Sequence, residues 1–158
     1  MLLVIDLGNT NLTLGLYKGN TLGPHWRLAT EHARMADEYG IQILSLLQTS
    51  GIQINELHGI CLSSVVPSLT AHIEKACNQY LQKDVLIVSA ALKTNITICY
   101  DDPKAVGADR IADAVAVQNK FGGPACIIDF GTATTFNALT EKGEYLGGAI
   151  MPGIGIAA

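Results

Sequence analysis

Charge is scarce in this sequence. Only 15% of its 158 residues are Asp, Glu, Lys or Arg, whereas 49% are hydrophobic. Such a chain buries a substantial core and is not disordered. Basic runs are missing as well: the 10 Lys and Arg are scattered, the net charge is -4 and the pI is near 5.4. That excludes a nucleic-acid surface, whose affinity for phosphate comes from a basic patch. The four cysteines, Cys61, Cys77, Cys99 and Cys126, form no CxxC pair, so a zinc or thioredoxin-like site lacks its ligand spacing. They read as buried apolar thiols in a reducing compartment. No apolar run is long enough to span a membrane. The start, Met1-Leu-Leu-Val-Ile-Asp6, has no basic region and meets a carboxylate too early for a signal peptide. Asn95-Ile96-Thr97 matches a glycosylation acceptor, but without secretion the match has no meaning. The expectation is a cytoplasmic protein of one ordinary domain or two very small ones, with neither nucleic acid nor membrane as partner.

What is present is a mixed α/β pattern. Residues 2–6 form a short apolar run ending in an acid, as a buried strand does. Residues 11–17 alternate polar and apolar, Lys18-Gly19-Asn20 makes a hairpin turn, and a third strand is expected over 26–29. Residues 36–48 carry Ile41, Ile43, Leu44, Leu46 and Leu47 at helical period, ended by Gly51. A buried strand over 57–66 leads to Pro67-Ser68, which opens a helix expected to run to about Lys83. Short strands over 85–88 and 96–100, a helix over 108–119 and a stop at Gly122-Gly123-Pro124 follow, before a new strand over 125–129.

That new strand begins an internal repeat. Val4-Ile-Asp6-Leu-Gly8-Asn-Thr10 is echoed by Ile127-Ile-Asp129-Phe-Gly131-Thr-Ala133. Each copy runs into a second strand, 11–17 and 134–139, then a Lys-Gly turn, Lys18-Gly19 and Lys142-Gly143; the later copy continues into a third strand over 145–150. Helices and parallel-type strands follow the first copy, whereas the sequence stops soon after the second. The expectation is a complete first domain, 1–123, and the beginning of a second, 124–158, in a chain that is truncated or one piece of a split protein.

A strand ending in Asp and followed by a tight Gly/Asn/Thr turn brings three things together. Glycine admits a phosphate close to the backbone, the turn's N–H groups and hydroxyls donate to it, and the carboxylate can hold a cation. One such turn is equally an ordinary hairpin with an exposed acid; two in equivalent places argue for a phosphate clamp. Phosphoryl transfer also needs a group to orient or deprotonate the acceptor. Gly107-Ala108-Asp109-Arg110 supplies it at a helix start, where backbone amides favour anions. Asp109 can take a proton from an alcohol and Arg110 can pair bidentately with a carboxylate, although alone the pair reads better as a capping Asp beside a solvated Arg. Asp101-Asp102 before Pro103 reads as a turn initiator. Asp113, one turn beyond Asp109, either lies on the helix surface or faces the cleft. His25, His32, His58 and His72 share no ligand spacing. Gly147-Gly-Ala-Ile-Met-Pro-Gly153 calls for close backbone approach to a ligand or to a facing element.

Taken in order, Asp6-Leu-Gly-Asn-Thr10, Gly107-Ala-Asp-Arg110, Asp129-Phe-Gly-Thr-Ala-Thr-Thr135 and Gly147-Gly-Ala-Ile-Met-Pro-Gly153 resemble the type III pantothenate kinases of the acetate and sugar kinase/Hsp70/actin superfamily. The resemblance runs from Met1 to Ala158. It implies a duplicated ribonuclease H-like (actin-like ATPase) α/β fold, its first half complete and its second half only begun. It also implies ATP-dependent phosphorylation of the terminal hydroxyl of pantothenate, the first step of coenzyme A synthesis. By that likeness Asp6, Leu7, Gly8, Asn9, Thr10, Asn11, Leu12, Thr13 and Thr132 contact ATP phosphates, with Asp6 also near Mg²⁺. Asp109 is the general base, and Tyr100, Gly107, Ala108, Asp109 and Arg110 line the pantothenate site, Arg110 taking the carboxylate. Asp129 holds a monovalent cation, K⁺ or NH₄⁺, and the protein is a homodimer. The shorter length implies a chain lacking much of the adenine side and binding ATP poorly on its own. Two rival readings are a non-catalytic regulatory binder of the same fold, which has no need of Asp109, and another sugar or acid kinase, which leaves Gly107 to Arg110 unexplained.

Overall fold

Alternation in the first strand decides which face of the first sheet is buried. In a computed structural model, which describes residues 1–157, β1 (Leu2–Leu7) buries Leu3, Ile5 and Leu7, and β2 (Asn11–Lys18) buries Leu12, Leu14 and Leu16 beside them. β3 (Thr21–Ala29), β4 (Gly59–Ser64) and β5 (Val85–Ile87) complete a sheet of order β3-β2-β1-β4-β5. β1 to β3 are antiparallel, whereas β4 and β5 continue parallel to β1. Helices α1 (Ala36–Thr49) and α2 (Pro67–Ala76) place Tyr39, Ile43, Leu47, Leu69, Ile73 and Ala76 in the same cluster as those leucines. α1 starts where the Met35 amide donates to Glu38 Oε2 across 2.8 Å, with Asp37 and Glu38 at its positive end. Pro67 opens α2 at a position that needs no amide hydrogen.

Two segments differ from the sequence expectation for clear reasons. β3 begins at Thr21 rather than Trp26, because it is an edge strand where Pro24 breaks no ladder that the sheet requires. The helix expected to reach Lys83 leaves α geometry after Ala76. A π-helical turn, Cys77–Leu81, keeps residues four apart on one side, so that Cys77 and Leu81 are both buried, and Gln82 at φ 53° ends it.

Chain compactness divides the protein into Met1–Ile87 and the part from Val88 onward. The second part holds β6 (Thr97–Ile98), α3 (Ala108–Lys120), β7 (Ala125–Phe130), β8 (Ala133–Leu139), β9 (Glu144–Pro152) and the single turn α4 (Ile154–Ala157). Its sheet has the order β6-β9-β8-β7. α3 packs on one face, where Val106, Ile111, Ala114, Leu139 and Tyr145 form a second core. The opposite face, in register through Ile128, Phe136 and Ala149 and through Phe130, Thr134 and Met151, leaves Ile128, Phe130 and Met151 exposed. Among the described residues, no helix is long and apolar enough to cross a membrane.

Candidate functional site

The repeat read from the sequence is a repeat of backbone register. Asp6 lies opposite Thr13 in the β1–β2 hairpin, and Asp129 lies opposite Thr135 in β7–β8. The turns differ by one residue: Gly8 N–H donates to the Asn11 carbonyl at 2.9 Å, whereas Gly131 N–H donates to the nearer Ala133 carbonyl at 3.0 Å. Thr135 is therefore the positional counterpart of Thr13, the strand threonine of the first copy.

In the first turn, Asn9, Thr10 and Asn11 are exposed, Gly8 and Thr13 half-buried, and Leu7 and Leu12 turned into the core. Thr30 holds the turn from outside, its hydroxyl donating to the Gly8 carbonyl at 2.7 Å and its amide to the Thr10 carbonyl at 2.9 Å. Asp6 is exposed at the C-terminal end of β1 and in register with both Thr13 and Ser63. The Ser63 hydroxyl is buried and has no hydrogen-bond partner among the described residues. No group of three or more His, Cys, Asp or Glu is arranged to hold a metal among the described residues. Asp6 is the carboxylate of this turn that could hold a divalent ion together with ligand phosphates, the way Mg²⁺ characteristically binds.

In the second turn, Asp129, Gly131 and Thr132 are exposed. The Gly131 and Thr132 carbonyls lean on Gly153, where a β-carbon would come within 2.5 Å and 2.3 Å of them. The last glycine of the Gly147–Gly153 motif is thereby explained as backing for this turn. An exposed carboxylate beside hydroxyls and turn carbonyls is a donor set that suits a hard cation.

The remaining candidate residues gather on the α3 face of the second sheet. Gly107 precedes α3, Ala108 is buried in its first turn, and Asp109 Oδ1 accepts from the Arg110 amide at 2.7 Å. Arg110 reaches down to β8, its Nε donating to Asn137 Oδ1 at 2.6 Å. The same oxygen accepts from the Tyr145 hydroxyl at 2.8 Å, and the Arg110 guanidinium carbon stands 5.9 Å from the Tyr145 ring centre. Burial raises the Tyr145 hydroxyl above the usual tyrosine pKa, and the Arg110 charge offsets part of the rise. Tyr100 lies against Gly147 and Arg110 against Gly148, where β-carbons would stand 2.8 Å from the Tyr100 ring and 2.8 Å from Arg110 Nη2. The paired glycines leave the floor on which these two long side chains lie. The nearby Asp102 does what a turn initiator does, accepting from the Lys104 amide at 3.0 Å.

Sequence reasoning did not single out Asn137 or Tyr145. The available signal was a polar amide in the middle of a β-strand, a position that is buried here to 1% exposure and therefore demands partners.

Two hairpin-led sheets of this order define an α/β protein of ribonuclease H-like fold, the fold of actin-like ATPases and sugar kinases. Solved structures agree at the level of fold. A protein of Porphyromonas gingivalis described as a candidate N-acetylglucosamine kinase superposes with a TM-score of 0.54 at 14% identity, over 94% of this chain and 47% of its own. The ethanolamine utilization protein EutJ of Carboxydothermus hydrogenoformans gives 0.52 at 11% identity, over 96% and 51%. A sequence model of the type III pantothenate kinases matches residues 2–158, and the chain belongs to that family. It is 49% identical to the type III pantothenate kinase of Moorella thermoacetica and 47% identical to that of Brevibacillus brevis, each over 157 residues, or 99% of this chain. It spans 62% of the length of each of these relatives.

Proposed function

We propose that this chain carries the pantothenate side and the phosphate turns of an ATP-dependent pantothenate kinase acting at the start of coenzyme A synthesis. The observation that carries the reading is the pairing of Asp109 and Arg110 in the first turn of α3, an acid and a fixed guanidinium on one short element. In the proposed reaction the carboxylate of Asp109 accepts the proton of the primary hydroxyl. The hydroxyl oxygen forms a bond to the γ-phosphorus as the bond from that phosphorus to the ADP oxygen breaks. Arg110 holds the substrate carboxylate, with Tyr100 beside it. Asp6 to Thr13 and Thr132 present amides and hydroxyls to the nucleotide phosphates. A divalent ion at Asp6 supplies neutralisation of phosphate charge, and a monovalent cation at Asp129 does so beside the second turn.

The same reading takes the duplicated fold to divide at 123/124, where the second hairpin begins. That division is one of topology and is distinct from the compactness of the chain. It also takes the working protein to be a homodimer in the cytoplasm, and takes this chain alone to bind ATP weakly. Isothermal titration of the 158-residue chain with ATP checks the last point: tight binding would refute it. The reaction is tested by pantothenate-dependent ADP release, with and without K⁺, in the Moorella thermoacetica protein and in its variant at the position matching Asp109. Asp→Asn there is expected to abolish turnover while pantothenate still binds. Retained turnover would sink the base assignment, and indifference to K⁺ would sink the role of Asp129.

A further inference from the structure

Arg110 is a half-buried charged group of the second unit, and the group that accepts from its Nε is a neutral amide. Its Nε donates to the amide oxygen of Asn137, and its Nη2 is buried against Gly148 with no hydrogen-bond partner among the described residues. Asn137 and Gly148 are direct neighbours across β8 and β9, and a β-carbon at 148, besides meeting the Phe136 carbonyl, would stand 2.8 Å from Nη2. Asn137 itself has no freedom to turn. Its Oδ1 accepts from both Arg110 Nε and the Tyr145 hydroxyl, and its Nδ2 donates to Thr135 Oγ1 at 3.3 Å. A flipped amide would point its NH₂ group at the Arg110 donor and forfeit that bond, so the network selects one orientation.

We propose that Asn137, with Tyr145 behind it, is the positioning residue that aims Arg110 and so sets a preference for a carboxylate-bearing substrate over an uncharged one. The inference rests on the substrate reading above. A neutral amide suits this task better than an acid. It fixes the side edge of the guanidinium without adding a negative charge beside it, so less of the attraction for an arriving carboxylate is cancelled. An acid at the same place would hold Arg110 equally well and neutralise it.

Two readouts test this in the 158-residue chain. The first is the Arg110 Nε–H signal in ¹⁵N-resolved NMR, which in the wild type is expected to exchange slowly with water. It is expected to be lost in Asn137→Ala and retained in Asn137→Asp, which keeps the accepting oxygen. The second is binding of pantothenate and of its analogue with a primary alcohol in place of the carboxylate. Asn137→Ala is expected to weaken pantothenate about tenfold or more, the scale of a hydrogen bond to a charged group, and to change the analogue about twofold at most. Asn137→Asp is expected to weaken pantothenate as well, despite an ordered Arg110. In an Arg110→Ala background, Asn137→Ala is expected to add nothing. Equal losses for both ligands, or an undiminished loss in the Arg110→Ala background, would overturn the proposal. So would a slowly exchanging Nε–H in Asn137→Ala. A wild type that binds neither ligand, or an Arg110→Ala variant that binds pantothenate normally, would instead overturn the substrate reading, and the Nε–H signal would still decide whether Asn137 positions Arg110.

Discussion

The Tyr80 ring lies against Gly40 so closely that a β-carbon on Gly40 would stand 2.2 Å from Cδ2 of the ring. α1 and the π-helical turn after α2 therefore meet through a glycine, and the Tyr80 hydroxyl closes the contact by donating to Asp37 Oδ1 at 2.9 Å. Gly40→Ala in a free helix would add about 1 kcal/mol through propensity, but here the methyl group must displace the ring. The expected outcome is a net loss of about 1–3 kcal/mol, the usual cost of overpacking, read from urea unfolding. In a Tyr80→Ala background the same substitution is expected to be neutral or stabilising, because the obstacle is gone.

Thiol chemistry separates the four cysteines. Burial pushes the Cys77 thiol up to about 12 and raises Cys61 less, whereas Cys99 and Cys126 are exposed. At about pH 8, Cys99 and Cys126 are expected to react first with a disulfide reagent, Cys61 more slowly, and Cys77 only on unfolding. The raised value also has a sign for stability. The unfolded thiol ionises near its ordinary value of 9.0, so the contribution of Cys77 is complete below that pH and is lost as pH climbs towards about 12. Cys77→Ala is expected to flatten that alkaline fall. Rapid modification of Cys77 in the native protein would contradict its burial.

How far the sequence alone reached depended on whether the deciding interaction was local. The strand-turn-strand units, the opening of α2 at Pro67 and the start of α3 at Gly107 were legible because turn chemistry and periodicity act over a few residues. The exposure of Cys99 and Cys126 was not, because the expectation of buried thiols follows composition and not placement. Nor was the end of α2: Cys77 to Leu81 keeps a helical pattern, and nothing local in it marks the wider turn that packs against α1. At the candidate site, Asp6, Asp109 and Asp129 could be singled out by their motifs. Asn137 and Tyr145 could not, since a register across β8 and β9 and a side chain from α3 converge on them.

Tyr145 gives the second pH test. Burial raises its hydroxyl above the ordinary tyrosine value of 10.0, so the folded protein retains the proton where the unfolded chain loses it. Its contribution is complete below about pH 10 and falls above that point. Tyr145→Phe removes one of the two donors on Asn137 Oδ1 and is expected to cost about 1 kcal/mol at neutral pH. Subtracting the variant's urea-unfolding profile from the wild-type profile should leave a difference that is flat in the neutral range and shrinks in alkali. A difference independent of pH throughout would show that the hydroxyl titrates alike in both states.

The two sheets treat corresponding faces differently. In the first, Leu3, Ile5 and Leu7 lie under α1 and α2; in the second, the corresponding Cys126, Ile128 and Phe130 are exposed, Phe130 to 68%. Apolar side chains left in water on a sheet drive self-association more than they support the fold. Ile128→Thr with Phe130→Thr puts β-branched residues suited to a strand at both positions while removing apolar surface. The pair is expected to change unfolding free energy by about 0.5 kcal/mol or less, as exposed positions do. It is also expected to lower fluorescence of a hydrophobic dye and to shift sedimentation towards a smaller species. A large loss of stability would mean that this face is already covered in solution, and the change in sedimentation would then show whether a second copy of the chain covers it.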